Sequence, residues 1–368
     1  MTGAVRHAPV AVAALTATAL AACSLLNSLD GYSEPRPADA APGPDAGDGS
    51  AAECVPAHLP PVPTTGPGLF NTGPPVIFAL RSFDFAERDG LDLDNRCTSC
   101  GDSPSPPTCV NTFPGATCAP DGPFGIDNRG GALLVPFLKN LIGGSLNLDK
   151  GAYGVVFRVD DWSQERLTSD GGPSAFQDRA VKVSIISSTA GLALDTDGGR
   201  PLRKNDGSDQ WTVDSVRPPG NTSTEAYIVD DVLYARFEGL SFNVGRLQIE
   251  WAEAQLRARI VDVGTHLRIE DGIIAARAPT SSLLRALAPY LAGFGYCTDE
   301  VCVGETKKKV CAAADLPSHA VDDGSGKACD AISYGVTVTA DQAQEGPGVS
   351  GADAGLLPCG PDFRPLCP

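Results

Sequence analysis

The sequence predicts a mainly β protein, built as an antiparallel β-sandwich or open barrel with two short helices and disulfide-braced loops. Short segments rich in β-branched and aromatic residues recur after residue 76, bounded by Gly, Asp or Pro. One of them, residues 254–260, alternates apolar and polar side chains, which is typical of an antiparallel strand with one wet face. Only two segments carry apolar residues at helical spacing, and the cysteines fall into clusters.

The first 22 residues have the composition of a secretory signal peptide. Arg6 and His7 precede an apolar run over residues 8–20, and small residues follow before Cys23. This run is shorter than the roughly 20 residues that a membrane-spanning helix needs. Two interpretations stay open: a signal peptide with a coincidental cysteine, or a lipoprotein signal with Cys23 as the lipidation site.

The tetrad Leu20-Ala21-Ala22-Cys23 resembles the lipobox of bacterial lipoproteins. The resemblance implies that the Cys23 thiol receives a diacylglyceryl group and becomes the first residue of the mature chain. It also implies that Ser24, which is not Asp, allows onward sorting to the outer membrane. We therefore expect an exported protein that is anchored by its N-terminal lipid and faces the periplasm or the cell surface.

Residues 23–68 are predicted to form a disordered tether. The segment is rich in Pro, Ala and Asp and has too little apolar surface to offset the entropy of an ordered chain. Proline makes such a spacer extended and semi-rigid. The folded domain is expected over residues 69–342, with Cys-rich loops at 97–118 and 297–329, and a Gly/Pro-rich tail with a cysteine pair over 343–368.

The predicted strands follow one another along the folded domain. They cover residues 76–85, 153–159, 180–186, 227–229, 232–237 and 254–260. Two further segments, 266–269 and 273–276, flank an Asp-Gly pair, which is a good hairpin signal, so Asp271 and Gly272 are expected at a hairpin tip.

Two short helices complete the predicted domain. Leucines recur at helical spacing over residues 133–142 and 281–291. Asp127 or Asn128 precedes the first helix and a Ser pair opens the second, and these residue types favour helix N-caps.

The net charge and the absence of catalytic motifs from the sequence narrow the classes of function that this protein can have. The chain has 28 Lys and Arg against 45 Asp and Glu, a formal net charge of −17, so we expect no nucleic-acid partner. The sequence has no Gly-x-Ser-x-Gly or His-Glu-x-x-His motif, which makes a hydrolytic enzyme the less favoured interpretation. A secreted hydrolase acting on polysaccharide or ester substrates is kept as the alternative function.

Ten cysteines are candidates for disulfide bonds, because an exported chain meets an oxidising compartment. They form two clusters of four and a terminal pair, and pairing within each cluster is the expectation. A zinc site or a redox pair in the Cys97-Thr-Ser-Cys100 segment is the alternative, and Cys54 has no obvious partner. The ten candidates are Cys97, Cys100, Cys109, Cys118, Cys297, Cys302, Cys311, Cys329, Cys359 and Cys367.

Two acidic loops flank the first cysteine cluster. Calcium takes six to eight oxygen ligands, and cross-linking of the cluster would bring the two loops together. The spacing is not that of an EF-hand, and the favoured interpretation is a set of solvated turns with a helix cap. A calcium site is the competing hypothesis. Its candidate ligands are Asp89, Asp92, Asp94, Asp127 and Asn128.

Several short stretches resemble uncharacterised secreted lipoproteins of myxobacteria: DGLDLD at 89–94, IEDGIIAA at 269–276 and CDAISYG at 329–335. The resemblance implies an exported protein with one folded unit and implies no activity. We therefore expect a lipid-anchored extracytoplasmic binding or structural module of the cell envelope, with calcium as its candidate cofactor and a glycan or surface protein as its candidate partner. The oligomeric state is left open.

Overall fold

The computed structural model describes the chain in sixteen segments. They are residues 58–64, 66–68, 73–86, 88–100, 107–131, 148, 154–168, 174–188, 191–192, 195–197, 200–215, 218–223, 225–244, 247–291, 300–349 and 366–367. The predicted signal peptide, Cys23, Cys54, Cys297, Cys359, most of the tether and the predicted helix over 133–142 lie outside these residues.

The described part of the chain is mainly β, as predicted. Its strands are β1 (Val76–Phe85), β2 (Gly154–Asp160), β3 (Arg166–Thr168), β4 (Ser174–Phe176), β5 (Lys182–Ser188), β6 (Gly191–Leu192), β7 (Asp195–Asp197), β8 (Arg200–Leu202), β9 (Gln210–Asp214), β10 (Glu225–Val229), β11 (Val232–Phe237), β12 (Leu240–Val244), β13 (Leu247–Trp251), β14 (Glu253–Asp262), β15 (Leu267–Pro279) and β16 (Ala331–Val349). The helices are α1 (Thr280–Leu291) and α2 (Glu300–Ala312).

Most strands join one antiparallel sheet that curls into a half-barrel. The strand order is β10-β11-β14-β15-β16-β1-β2-β5. The curl brings the two end strands together, since the Val181 N–H donates to the Ala226 carbonyl and the Ser223 N–H to the Val183 carbonyl. Strand β9 pairs in parallel with the far end of β16, and β6 pairs with β9. Of the two predicted architectures, the open barrel is the one that matches this sheet.

The alternation predicted for residues 254–260 is confirmed in β14. Leu256, Ala258 and Ile260 are buried in the core, whereas Arg257 and Arg259 are exposed on the opposite face. Full burial of a side chain such as Leu256 stabilises a fold by about 1.5 to 3 kcal/mol. The inner face of the curled sheet therefore supplies the largest hydrophobic cluster. A smaller buried cluster, on the strand positions that alternate with it, surrounds Trp211.

The hairpin predicted at Asp271 and Gly272 is wrong. Strand β15 continues through both residues, and its register shifts there against β14 and against β16. Asp271 adopts a left-handed φ of 48°. A Cβ on Gly272 would lie 2.7 Å from the Val338 carbonyl oxygen. The Asp-Gly pair forms a bulge, because the residues on both sides of it find partners in neighbouring strands instead of pairing with each other.

The central strand β16 was not among the predicted strands. It pairs with β15 on one side and β1 on the other, and it continues past residue 342, the predicted end of the folded domain, to Val349. Its core residues Tyr334, Val336, Val338 and Ala340 alternate with small or polar ones. That alternation is the signal by which the strand could have been found.

The helix predicted over residues 281–291 is confirmed as α1. The second helix, α2, lies in the Cys-rich loop 297–329 and was not predicted, because its cysteines and lysines obscure the apolar spacing. None of the helices in the described segments combines the length and the apolar character needed to cross a membrane.

Disulfides brace the loops as predicted, but they do not follow the clusters. Cys100 pairs with Cys118 inside the first cluster. Cys109 pairs with Cys329, 220 residues away, and Cys311 pairs with Cys367. The expectation of pairing within clusters is therefore wrong for the last two bonds. The reason is tertiary, since the Cys329 N–H donates to the Val110 carbonyl and Val110 donates to Lys327, which aligns the two segments.

Candidate metal centre

Three of the five predicted calcium ligands lie together in the structure. Asp92, Asp94 and Asp127 each offer a carboxylate oxygen, and these oxygens lie within 4.8 Å of one another. All three residues are buried, with exposed fractions of 5%, 7% and 3%. The two acidic loops meet because the Asp127 N–H donates to the Leu91 carbonyl at 3.1 Å. Because these three carboxylates are buried, they are not the solvated turn residues that the sequence interpretation favoured.

The other two predicted ligands have different positions. Asp89 is exposed, and its carbonyl accepts a hydrogen bond of 2.8 Å from the Asn128 side-chain amide. The Asn128 Oδ1 accepts from the Gly131 N–H at 2.9 Å and the Gly335 N–H at 3.1 Å. The bond to the residue three positions on is that of a helix N-cap. Asn128 therefore caps the helical turn that begins at Arg129, as the competing interpretation expected. Its bond to Gly335 ties the loop to β16.

Backbone N–H groups hold the three carboxylates in place. Asp92 Oδ1 accepts from Asn95 at 2.6 Å, and Asp127 Oδ2 accepts from Leu93 at 2.7 Å. Asp94 accepts from the Arg96 N–H at 2.9 Å and from the Thr108 hydroxyl. These bonds orient the oxygens without neutralising their charge.

One oxygen of the cluster has no hydrogen-bond partner among the residues that the structure describes. This oxygen is Asp92 Oδ2, which is fully buried. A buried polar atom that lacks a partner costs about 1 to 3 kcal/mol, and more when it is charged. A Cβ on Gly125, which has a φ of +76°, would lie 3.1 Å from this oxygen and 2.4 Å from the Arg96 carbonyl. Glycine at this position therefore lets the second loop close directly over Asp92.

Two further carboxyl groups extend the cluster into a cavity. Asp121 Oδ2 accepts from the Thr98 N–H at 2.5 Å, and Asp315 accepts from the Ser333 N–H at 2.8 Å and its hydroxyl at 2.5 Å. The cavity has a volume of about 330 Å³. Its acidic lining residues are Asp94, Asp121, Asp127 and Asp315, with hydroxyl groups from Thr98, Ser99, Thr108 and Thr117.

Burial raises the pKa values of four of these carboxyl groups, those of Asp92, Asp121, Asp127 and Asp315, because it disfavours their charged forms. Burial raises the pKa of Asp92 to about 6, that of Asp121 to about 7 and that of Asp315 to about 6. Burial, together with the charges of neighbouring aspartates, raises the pKa of Asp127 well above its ordinary value. Asp121 and Asp127 line the same cavity, so their carboxyl groups share one acidic environment. The site therefore takes up positive charge, either as protons or as a cation.

The donor set fits a hard cation such as calcium. Calcium–oxygen distances are about 2.3 to 2.6 Å, so oxygens on opposite sides of one ion lie about 5 Å apart. The spread of 4.8 Å between the three carboxylates falls within that limit. Carboxylate and carbonyl oxygens favour calcium over zinc, which takes nitrogen and sulfur ligands. Calcium bound here would join the loop of Asp92 and Asp94 to the loop of Asp127.

The zinc and redox alternatives at Cys97 and Cys100 are wrong. Both residues are disulfide-bonded, and the partner of Cys100 is Cys118. Neither thiol is available to ligate zinc, and the two do not form a redox pair.

The cavity residues Asp121 and Asp315 were absent from the predicted ligand set. Asp121 begins the same loop as Asp127, so its distance from Asp127 in the sequence was the available signal. Asp315 reaches the cavity only because α2 returns the chain to β16.

Comparison of the chain with protein-family models, curated proteins and solved structures finds no match.

Proposed function

We propose that this chain is a lipid-anchored, extracytoplasmic binding or structural module of the cell envelope, braced by calcium at Asp92, Asp94 and Asp127. The observation that carries the calcium part is the convergence of three buried carboxylates around an oxygen that lacks a partner. Lipid anchoring at Cys23 and an outer-membrane location are supported by the N-terminal sequence alone.

The disulfides support an extracytoplasmic location. Disulfides persist in oxidising compartments and are rare in reducing ones. Three of them, among the described residues, hold the loops around the acidic cluster to the sheet and to the C-terminal segment. A cation in the cluster would add a further connection at the same end of the molecule and would shape the cavity. In this proposal that end presents the binding surface for a glycan or a surface protein.

Thermal unfolding of the non-reduced protein tests the calcium site. Calcium at 100 times its Kd should stabilise the fold by about 2.7 kcal/mol relative to chelator, which raises Tm by a few degrees in a domain of this size. The double variant Asp92→Asn, Asp94→Asn should lose that rise. Asp89→Asn is the matched control, since its carboxylate lies in the same loop but is exposed outside the cluster. A rise that survives the double variant, or no rise in the native chain, contradicts the proposal.

Membrane association tests the anchor. The native chain expressed in a bacterial host should partition into detergent, and Cys23→Ala should move it to the aqueous phase without changing its Tm. Detergent partitioning that is unaffected by Cys23→Ala would show that lipid at this residue is not the anchor.

A hydrolase is the second candidate, and one observation favours it. Asp121 and Asp127 line the same acidic cavity and both have raised pKa values, and paired carboxyl groups can serve as general acid and base in hydrolysis. Turnover of a polysaccharide or an ester that is lost in Asp121→Asn would favour this function over the binding module.

A further inference from the structure

A proline-rich segment of the predicted tether lies on the outer face of the sheet. Residues 59–63 read Leu-Pro-Pro-Val-Pro, and the first four of them line a groove over β10 and β11. Tyr227 and Tyr234 are cross-strand partners in these strands, and their neighbours Ala226, Ile228, Leu233 and Ala235 face the core. Because side chains alternate along a strand, the two tyrosines point away from the core.

The tyrosine pair is covered even though it faces outward. The two rings are stacked with centroids 5.3 Å apart, and each residue is only 8% exposed. The Tyr227 hydroxyl donates to the Pro60 carbonyl at 2.5 Å. Farther along, Arg179 donates from its backbone N–H to Pro67 and from its Nε to Gly66, each at 2.8 Å. The segment is thus held at its start and at its end by donors of the sheet.

The prolines of the segment favour an extended backbone. Leu59, Pro60 and Pro63 are half-buried, whereas Pro61 and Val62 are exposed. Proline-rich segments adopt polyproline II, which has no internal hydrogen bonds and leaves its carbonyls free for an external donor. Aromatic grooves recognise proline-rich segments in this way, with the rings packing on the prolines and a polar group binding a carbonyl.

The segment does not fill the groove. A cavity of about 540 Å³ remains between the segment and the sheet. Tyr227 and Tyr234 line it together with three charged residues, Arg179, Glu225 and Arg236. A loosely filled groove allows its occupant to be exchanged for another of the same chemistry.

We propose that the groove formed by Tyr227 and Tyr234 is a binding site for proline-rich peptide segments. The chain's own residues 59–63 occupy it in cis, and a proline-rich segment of another protein displaces them. Intramolecular occupancy competes through its high effective concentration, which is in the millimolar range for short flexible connections. The groove requires neither calcium nor lipid, so it is independent of the function proposed above.

A fluorescent peptide with the sequence of residues 57–68 tests the groove. Its binding to the full-length protein is measured by anisotropy, in the native chain and in the release variant Pro60→Gly, Pro63→Gly. We expect the release variant to bind the peptide at least tenfold more tightly, because the competing segment is weakened. Added to the release variant, Tyr227→Phe should weaken binding about fivefold, since one hydrogen bond to the peptide carbonyl is lost.

Matched controls separate recognition from folding. Tyr334→Phe removes a phenol oxygen from a buried tyrosine outside the groove, and it should leave peptide binding unchanged. This oxygen has no hydrogen-bond partner in the described part of the chain. A peptide in which alanine replaces every proline should bind at least tenfold more weakly. A release variant that keeps the native melting temperature yet fails to bind the peptide overturns the proposal, as does equal binding of the alanine peptide. A dimer of the native chain that dissociates in the release variant would make a second copy the occupant and overturn occupancy in cis.

Discussion

Single residues decide how closely the two acidic loops approach each other. Gly125 combines a left-handed φ with direct contact to the Arg96 carbonyl and Asp92 Oδ2. Its neighbour Phe124 also has a left-handed φ, of 62°, and its ring is 65% exposed. The short turn at Pro123–Gly125 is thus shaped by the position of Asp92 and not by packing of its own side chains. Substitution at Gly125 should therefore affect both the fold and the cluster.

Gly125→Ala should lower the free energy of unfolding by at least 2 kcal/mol more than Gly115→Ala does. Both glycines have left-handed φ values, +76° and +86°, so both alanines carry a backbone cost of roughly 1 to 2 kcal/mol. Only at Gly125 does the new Cβ meet other atoms, since nothing lies within 4 Å of a Cβ at Gly115. Urea denaturation of the two variants checks the difference. Equal losses in the free energy of unfolding would mean that the loop over Asp92 moves to accommodate the new Cβ without further destabilisation.

The central strand β16 connects the main sheet to β9 and to the acidic loops. It joins β15 to β1, accepts β9 at its far end, and its Gly335 N–H binds the Asn128 cap next to the acidic loops. The bulge at Asp271 and Gly272 bends β15 against this strand. Close contact between two backbones at the bulge leaves no room for a side chain on Gly272.

Gly272→Ala should destabilise the fold by about 2 to 4 kcal/mol, because its Cβ would overlap the Val338 side chain and carbonyl in the sheet interior. Gly264→Ala is the control, since it has a left-handed φ of +88° in a turn with nothing within 4 Å of the added Cβ. It should cost roughly 1 to 2 kcal/mol. The midpoints of urea unfolding distinguish the two. A Gly272→Ala loss no larger than that of the control would show that the bulge adjusts freely.

The free energy of unfolding of the whole molecule depends on how many protons the acidic cluster binds. In the absence of a metal, folding raises the pKa of Asp92 and Asp315 to about 6 and that of Asp121 to about 7, from an ordinary value of 3.8. Between about pH 4 and pH 7 the folded chain thus binds more protons than the unfolded chain. The stability that these protons supply is present at the acid end of this window and is lost as the pH rises through it.

In chelator, the free energy of unfolding should fall by an amount on the order of a few kcal/mol between pH 4 and pH 7. Saturating calcium should reduce or reverse that fall, because the cation replaces the protons as the pH rises. Asp121→Asn should flatten the slope in chelator. Urea unfolding at several pH values makes the comparison. Stability in chelator that rises over this range would contradict the assignment of raised pKa values to these carboxyl groups.

The sequence by itself determined the mainly β class, the bounds of β1 and β11, the alternating faces of β14 and the position of α1. These features depend on contacts between neighbours in the chain, which produce a readable period. It also placed Asp92, Asp94 and Asp127 in one candidate site, because the cysteines between the two acidic loops suggested that the loops meet.

Only the tertiary structure decided the remaining features, because they depend on partners far away in the chain. The Asp-Gly pair carries the same local preference for left-handed φ in a hairpin and in a bulge, and the strands on either side select the bulge. Cys109 pairs with Cys329 because β16 returns the chain to the first cysteine cluster. Asp315 reaches the cavity, and Pro60 reaches Tyr227, by long-range packing that no local period encodes.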